Sequence, residues 1–188
     1  MKISWKGKLF WILKNPYNLN NKYYEITSEE FFQTEAINVL NKMGVDLFFI
    51  DGLHTFSASL NDALSSLKHL SLRGTVIMHD CCPPHIAAAI PATSFQDAKS
   101  KNVEGWTGQW CGDVWKTIVY LKTKYSKYLD ITVINSDFGL GVIKFKNEKI
   151  RDLDIDVQLF NEINELEYQT IFQDPGKYIN LKELSDLN

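Results

Sequence analysis

The chain has 188 residues, of which 45% are hydrophobic and 23% charged, and a formal net charge of −3. That is enough chain for one domain with a real core, in an ordinary soluble composition. The acidic balance, with no basic stripe, excludes an electrostatic footprint for nucleic acid, so no nucleic-acid partner is expected.

Near the N-terminus, Lys8 and Lys14 bracket five apolar residues, Leu9 to Leu13. A signal-peptide core needs about 7–15 apolar residues and a membrane helix about 20. The expectation is therefore no membrane span and a cytoplasmic location, with the run either packed against the fold or left exposed. Residues 15–25 are rich in Asn and Tyr and read as a loop leading into a short strand at Tyr23–Ile26. Thr27-Ser28-Glu29-Glu30 matches a capping box, Thr27 capping a helix and Glu30 reaching back to it. That helix carries Phe31, Phe32, Ile37 and Leu40 as its apolar positions and stops near Gly44.

Val45–Ile50 is an apolar run broken only by Asp46, the pattern of a strand covered on both faces. It ends at Asp51-Gly52. Phe56, Leu60, Ala63, Leu64 and Leu67 then recur at helical spacing. Arg73-Gly74 predicts a turn, and Thr75–Met78 a second buried strand ending at His79-Asp80. This is a β-α-β unit, whose right-handed crossover makes the two strands parallel.

Residues 81–112 hold Pro83, Pro84 and Pro91 with three glycines, and predict a long irregular loop of the kind that usually carries function. Asp113 can cap a helix with Val114, Trp115, Ile118, Leu121 and Tyr125 on its apolar face. Ile131–Ile134 and Leu140–Phe145 are strands joined by the turn Asp137-Phe138-Gly139, hence antiparallel. Residues 1–150 form the expected domain. Residues 151–188 form a helical tail, packed on the domain or extending from it, whose helix runs through Val157, Phe160, Ile163 and Leu166 and is ended by Pro175-Gly176. The fold class is α/β, a Rossmann-like, mostly parallel sheet with a terminal antiparallel hairpin.

Ligands of open α/β sheets bind beyond the carboxyl ends of the strands. Asp51 and Asp80 both stand there, on strands joined by one crossover, and suit a hard divalent cation, Mg2+ or Mn2+. His54, three residues after Asp51, can reach the same space as a general base for a hydroxyl, which the cation would acidify. Each residue alone reads better as a turn or strand-end residue; the weight lies in the three together. His69, near a helix end, reads as structural. His85 has no assignment, and His79 is expected to point away from Asp80 because side chains alternate along a strand. Trp106, Trp110 and Asp113 are the substrate-side candidates, with packing the alternative for the tryptophans. A zinc site on Cys81, Cys82, His85 and Cys111 is a weaker alternative, since the spacing lacks C-x-x-C. Three cysteines, two of them adjacent, read by default as free thiols.

Phe49-Ile50-Asp51-Gly52-Leu53-His54, together with Leu72 to Asp80, resembles the class I methyltransferases of the "methyltransferase 24" type that use S-adenosylmethionine (SAM). Thr27-Ser28-Glu29-Glu30-Phe31-Phe32, Gly112-Asp113-Val114-Trp115-Lys116 and Gly139-Leu140-Gly141-Val142-Ile143 resemble further blocks of that group, whose genes often accompany polysaccharide synthesis. The resemblance runs from about residue 23 to about residue 145. It implies SAM as cofactor, Asp51 and Asp80 as metal ligands and His54 as base, by analogy with sugar O-methyltransferases that use a metal.

The same resemblance implies a Gly-rich turn near the start and an acidic residue for the ribose. Gly7 is the only glycine before Gly44, and Asn15-Pro16 stands near the place of that acid. The expectation is an N-terminally truncated form of the methyltransferase fold. An exposed sheet edge would then be covered by Lys8–Lys14, by the tail, or by a second copy in a homo-oligomer. Two functions follow: an O-methyltransferase of a sugar or other small hydroxylated acceptor, or a non-catalytic remnant or partner subunit without its own SAM site. A metal-dependent hydrolase ranks below both, because no G-x-S-x-G motif occurs.

Overall fold

The computed structural model describes residues 9–13, 24–40, 44–150 and 152–187. It contains a six-stranded mixed sheet in the order β1-β2-β3-β5-β4-β6. Strand β1 (Leu9–Leu13) pairs antiparallel with β2 (Val45–Asp51), Leu9 opposite Asp51 and Leu13 opposite Leu47. The apolar run between the two lysines is therefore a strand on the edge beside β2. Asn15, Pro16 and Tyr23 lie outside the described residues. Tyr24 and Glu25 belong to no strand, so the predicted strand at Tyr23–Ile26 does not form over its described part.

The Thr27 cap holds, its hydroxyl accepting from the Glu30 amide at 3.1 Å. The helix it starts is composite: α1 (Ser28–Glu30), a π-helical turn (Phe31–Glu35) and α2 (Ala36–Val39). A π turn takes one residue more than an α turn. Phe31, Ala36 and Leu40 are buried as a result, and Ile37, expected in the core, is 83% exposed.

Helix α3 (Phe56–His69) crosses from β2 to the parallel strand β3 (Leu70–Met78). Arg73-Gly74 is not a turn but lies inside β3, where the register jumps from Val45 opposite Leu70 to Leu47 opposite Thr75. Gly74 is required there: a Cβ would come within 2.7 Å of the Val45 carbonyl oxygen and of Leu70. The predicted loop that follows contains a 3-10 turn (Ile86–Ala89) and α4 (Phe95–Ser100).

Helix α5 (Trp115–Tyr125) packs beside α3, and the Ser59 and Thr117 hydroxyls meet at 2.7 Å between them. The hairpin of β4 (Leu129–Ile134) and β5 (Leu140–Phe145) is antiparallel, with β5 inserted between β3 and β4. The tail is three helices, α6 (Val157–Asn164), α7 (Tyr168–Gln173) and α8 (Pro175–Ile179), followed by β6 (Leu181–Lys182) parallel to β4. Pro175 opens α8 instead of ending a helix, because its missing N–H falls in the unbonded first turn and Asp174 caps that turn at the Lys177 amide. By direction, four of the six strands point one way, with β1 and β5 reversed.

The core runs from Phe48, Ile50, Val76 and Met78 of the sheet to Leu60, Leu67, Ile118 and Leu121 of the helices, all within 4% of full burial. Each such side chain contributes about 1.5–3 kcal/mol over its exposed state. Ile163, Ile171 and Ile179 join the same core, so the tail is packed on the domain. Among the described residues no helix is long and apolar enough to cross a membrane.

Candidate active site

Parallel pairing puts Ile50 level with Met78, so the residues after each strand emerge side by side. Asp51 closes β2. Beyond β3 the chain turns sharply, with Asp80 in the left-handed region at φ 62°. Asp tolerates this conformation better than most residues, and such strain gathers at functional sites. The turn is held by the Cys81 and Cys82 amides, which donate to the carbonyls of Gly139 and Phe138.

His54 sits on the turn before α3. Its Nε2 is 3.1 Å from Asp80 Oδ2 and 3.6 Å from Asp51 Oδ1. Its Nδ1 is 2.8 Å from the Trp110 carbonyl oxygen. A carbonyl can only accept, so Nδ1 carries the proton and Nε2 is the nitrogen left to face the carboxylates. Asp51, His54 and Asp80 each offer one ligand atom, all within 4.8 Å of one another. Among the described residues, this is the group of His, Cys and carboxylate side chains that could hold a metal ion. The Cys81, Cys82, His85 and Cys111 set does not assemble: His85 accepts from the Ala88 amide and bonds the Thr107 hydroxyl.

His79 is the residue that sequence reasoning misplaced. Its Nδ1 lies 3.0 Å from Asp80 Oδ2, and its Nε2 lies 3.2 Å from Asp137 Oδ2. Alternation applies only to extended backbone, and the left-handed Asp80 brings both side chains into one crevice. From the sequence, Asp137 reads only as a turn residue of the hairpin. No local signal marks its tie to His79, because the contact depends on β5 lying next to β3.

The charges reinforce one another. The hydrogen bond to Asp80 raises the His79 imidazole, overcoming burial, to about 9, with Asp51 and Asp137 adding to it. Burial pulls the His54 imidazole down. The hydrogen bond to Asp51, the charge of Asp80 and the Trp110 carbonyl outweigh that and leave it above its ordinary value. The His54 hydrogen bond holds Asp51 below the usual carboxylate range against the effect of burial.

The substrate-side candidates divide. Trp110 joins the site: its ring lies 5.1 Å from the His54 ring, and its indole N–H donates to the Ile90 carbonyl at 2.9 Å. Trp106 packs on Phe95 at 6.0 Å. Asp113 is buried, and its carboxylate accepts from the Phe56 amide at 2.6 Å and faces Lys116 at 3.7 Å. It therefore ties the start of α3 to that of α5 and does not cap α5, whose N-cap residue is Val114 with no side-chain bond.

Residues 10–81 match a family model described as a methyltransferase domain. The matched stretch is less than half of the chain, and it contains most of β1, all of β2 and β3, and Asp51, His54 and Asp80. It supports a methyltransferase family, and the mixed α/β sheet is compatible with that fold. Methyltransferases of this kind use SAM in general. No curated protein and no solved structure matches the chain.

Proposed function

We propose that this chain carries the acceptor side of an O-methyltransferase site for a sugar or other small hydroxylated molecule. The observation that carries the reading is the aim of His54 Nε2 between Asp51 and Asp80, with Nδ1 committed to the Trp110 carbonyl. The two carboxylates suit a divalent cation such as Mg2+ or Mn2+. Asp51 and Asp80 would hold it, and a bound cation would acidify an acceptor hydroxyl. His54 Nε2 then accepts the hydroxyl proton while Nδ1 keeps its bond to Trp110. The imidazolium that results is stabilised by the two carboxylates beside it. His79, protonated between Asp80 and Asp137, holds the Asp80 carboxylate in place.

The second reading is a partner subunit or remnant without its own SAM site; among the described residues no Gly-rich turn of the kind that approaches a dinucleotide or SAM is present. Titration calorimetry separates the two. Heat on adding SAM, together with Mn2+ binding that Asp51→Asn and Asp80→Asn abolish, supports the enzyme. Mn2+ binding without SAM binding supports the second reading. Absence of Mn2+ binding overturns the cation site.

A further inference from the structure

The turn that carries His54 is gripped from behind. Phe56, the first residue of α3, donates its amide to the Asp113 carboxylate at 2.6 Å. The Asp113 amide in turn donates to the His54 carbonyl at 3.4 Å. These two bonds fall on either side of Thr55 and fix the backbone from which the imidazole projects. Both carboxylate oxygens of Asp113 are taken, Oδ1 by the Phe56 amide and Oδ2 by Lys116, so none is left for a substrate.

Asp113 is itself held. It is buried, and the ammonium of the equally buried Lys116 stands 3.7 Å away. Burial pushes the Asp113 carboxyl up and the Lys116 ammonium down, and the charge of each opposes that effect on the other. A carboxylate buried in this way needs a cation beside it, and as an ion it is the stronger acceptor for the Phe56 amide. The same ammonium donates to the carbonyl of Asn164, the last residue of α6, at 2.6 Å. A helix leaves its last carbonyls unbonded, and a cation is favoured there. Helix α6 meets α3 a second time, where Phe160 lies flat on Phe56 with the ring centres 4.5 Å apart. The start of α3 is thus caught between Asp113 and α6, and one ammonium joins the two. Asp113, Lys116, Phe160 and Asn164 all lie outside residues 10–81, the stretch that matches the methyltransferase family model.

We infer that Asp113 and Lys116 are positioning residues for His54, and that tail helix α6 is part of how the site is built. The carboxylate fixes the His54 turn, and the ammonium makes that hold depend on α6. The purpose of this arrangement rests on the proposed role of His54 as base; the test reads the imidazole itself, with no cation or SAM present.

The test is nitrogen-detected NMR of the imidazoles in the full chain, with chelator added. His69, at the far end of the same helix, is the internal reference. Lys116→Met removes the charge and keeps most of the volume, and Phe160→Ala removes the ring on half-buried α6 and leaves the ion pair intact. In each variant the His54 turn should shift and weaken the bond from Nδ1 to the Trp110 carbonyl. The share of His54 protonated on Nε2 should then rise roughly fivefold, as for the loss of one ordinary hydrogen bond, while the His69 signals stay in place. Unmoved His54 signals in either folded variant overturn the proposal. So does equal movement of His54 and His69, which is general loosening of α3. If Lys116→Met does not fold, Phe160→Ala decides. A shifted His54 tautomer in a chain that takes no Mn2+ leaves this inference standing and removes the cation site instead.

Discussion

The Trp110 carbonyl oxygen stands 2.8 Å from His54 Nδ1, although the two residues are 56 positions apart in the chain. The loop after β3 thus decides which nitrogen of the imidazole is free. Trp110 holds that carbonyl in place twice, by its ring against His54 and by its indole N–H on Ile90. It is a positioning residue in this arrangement.

Trp110→Ala should therefore change the histidine before it changes the fold. In the wild type, nitrogen-detected NMR should show His54 with its proton on Nδ1 when neutral. In the variant the two tautomers should mix, because the carbonyl that keeps the proton on Nδ1 is no longer held in place by the indole. Unchanged His54 signals would assign Trp110 to packing alone.

A second prediction concerns how His54 serves the cluster. Nε2 cannot bind a cation and accept a proton at once. If it is the base, His54→Ala should leave Mn2+ affinity within about threefold, while Asp51→Asn lowers it by about tenfold or more. Equal losses in the two variants would make His54 a ligand.

The close approach at Gly112 gives a third. Its φ is +61°, and a Cβ there would fall 1.8 Å from the His54 carbonyl oxygen. Both the left-handed backbone and the backbone contact oppose any side chain. Gly112→Ala should destabilise by roughly 2–3 kcal/mol in urea titration and should displace His54. A variant of wild-type stability would mean that the loop is free to move off His54.

Much of this architecture was readable in the residues. Val45–Ile50, Thr75–Met78 and the spacing of Phe56 to Leu67 state their periods openly, and strand ends in a parallel pair must emerge together. Asp51 and Asp80 followed from that, and His54 from its place three residues after Asp51. What stayed hidden needed tertiary context. The π turn at Phe31–Glu35 moves Ile37 outward without changing the local pattern. The register jump turns Arg73-Gly74 from a turn into strand. Pro175 reads as a stop until Asp174 is known to cap a new helix. His79 was misplaced because one left-handed residue, Asp80, cancels the alternation on which the expectation stood. Asp137, and the hold of the Trp110 carbonyl on His54, depend on long-range folding of a hairpin and a loop.

His69 supplies the last prediction. It ends α3, where the helix dipole would favour a cation, yet its imidazole stacks on Phe32 at 5.8 Å. Burial, with Lys68 and Lys149 nearby, lowers its pKa from the ordinary 6.5. The unfolded chain therefore binds a proton on this residue at a higher pH than the folded chain does. Between the lowered folded value and 6.5, stability rises with pH, and it is lost as the pH falls through that window. His54 and His79 are shifted upward and give the opposite slope, so the total is not diagnostic. The difference between the wild type and His69→Gln is. Urea midpoints should show the wild type losing stability relative to the variant between about pH 7 and about pH 5, and no relative change above about pH 7.5. A relative gain on acidification would mean that His69 is protonated in the fold and paired with the helix dipole after all.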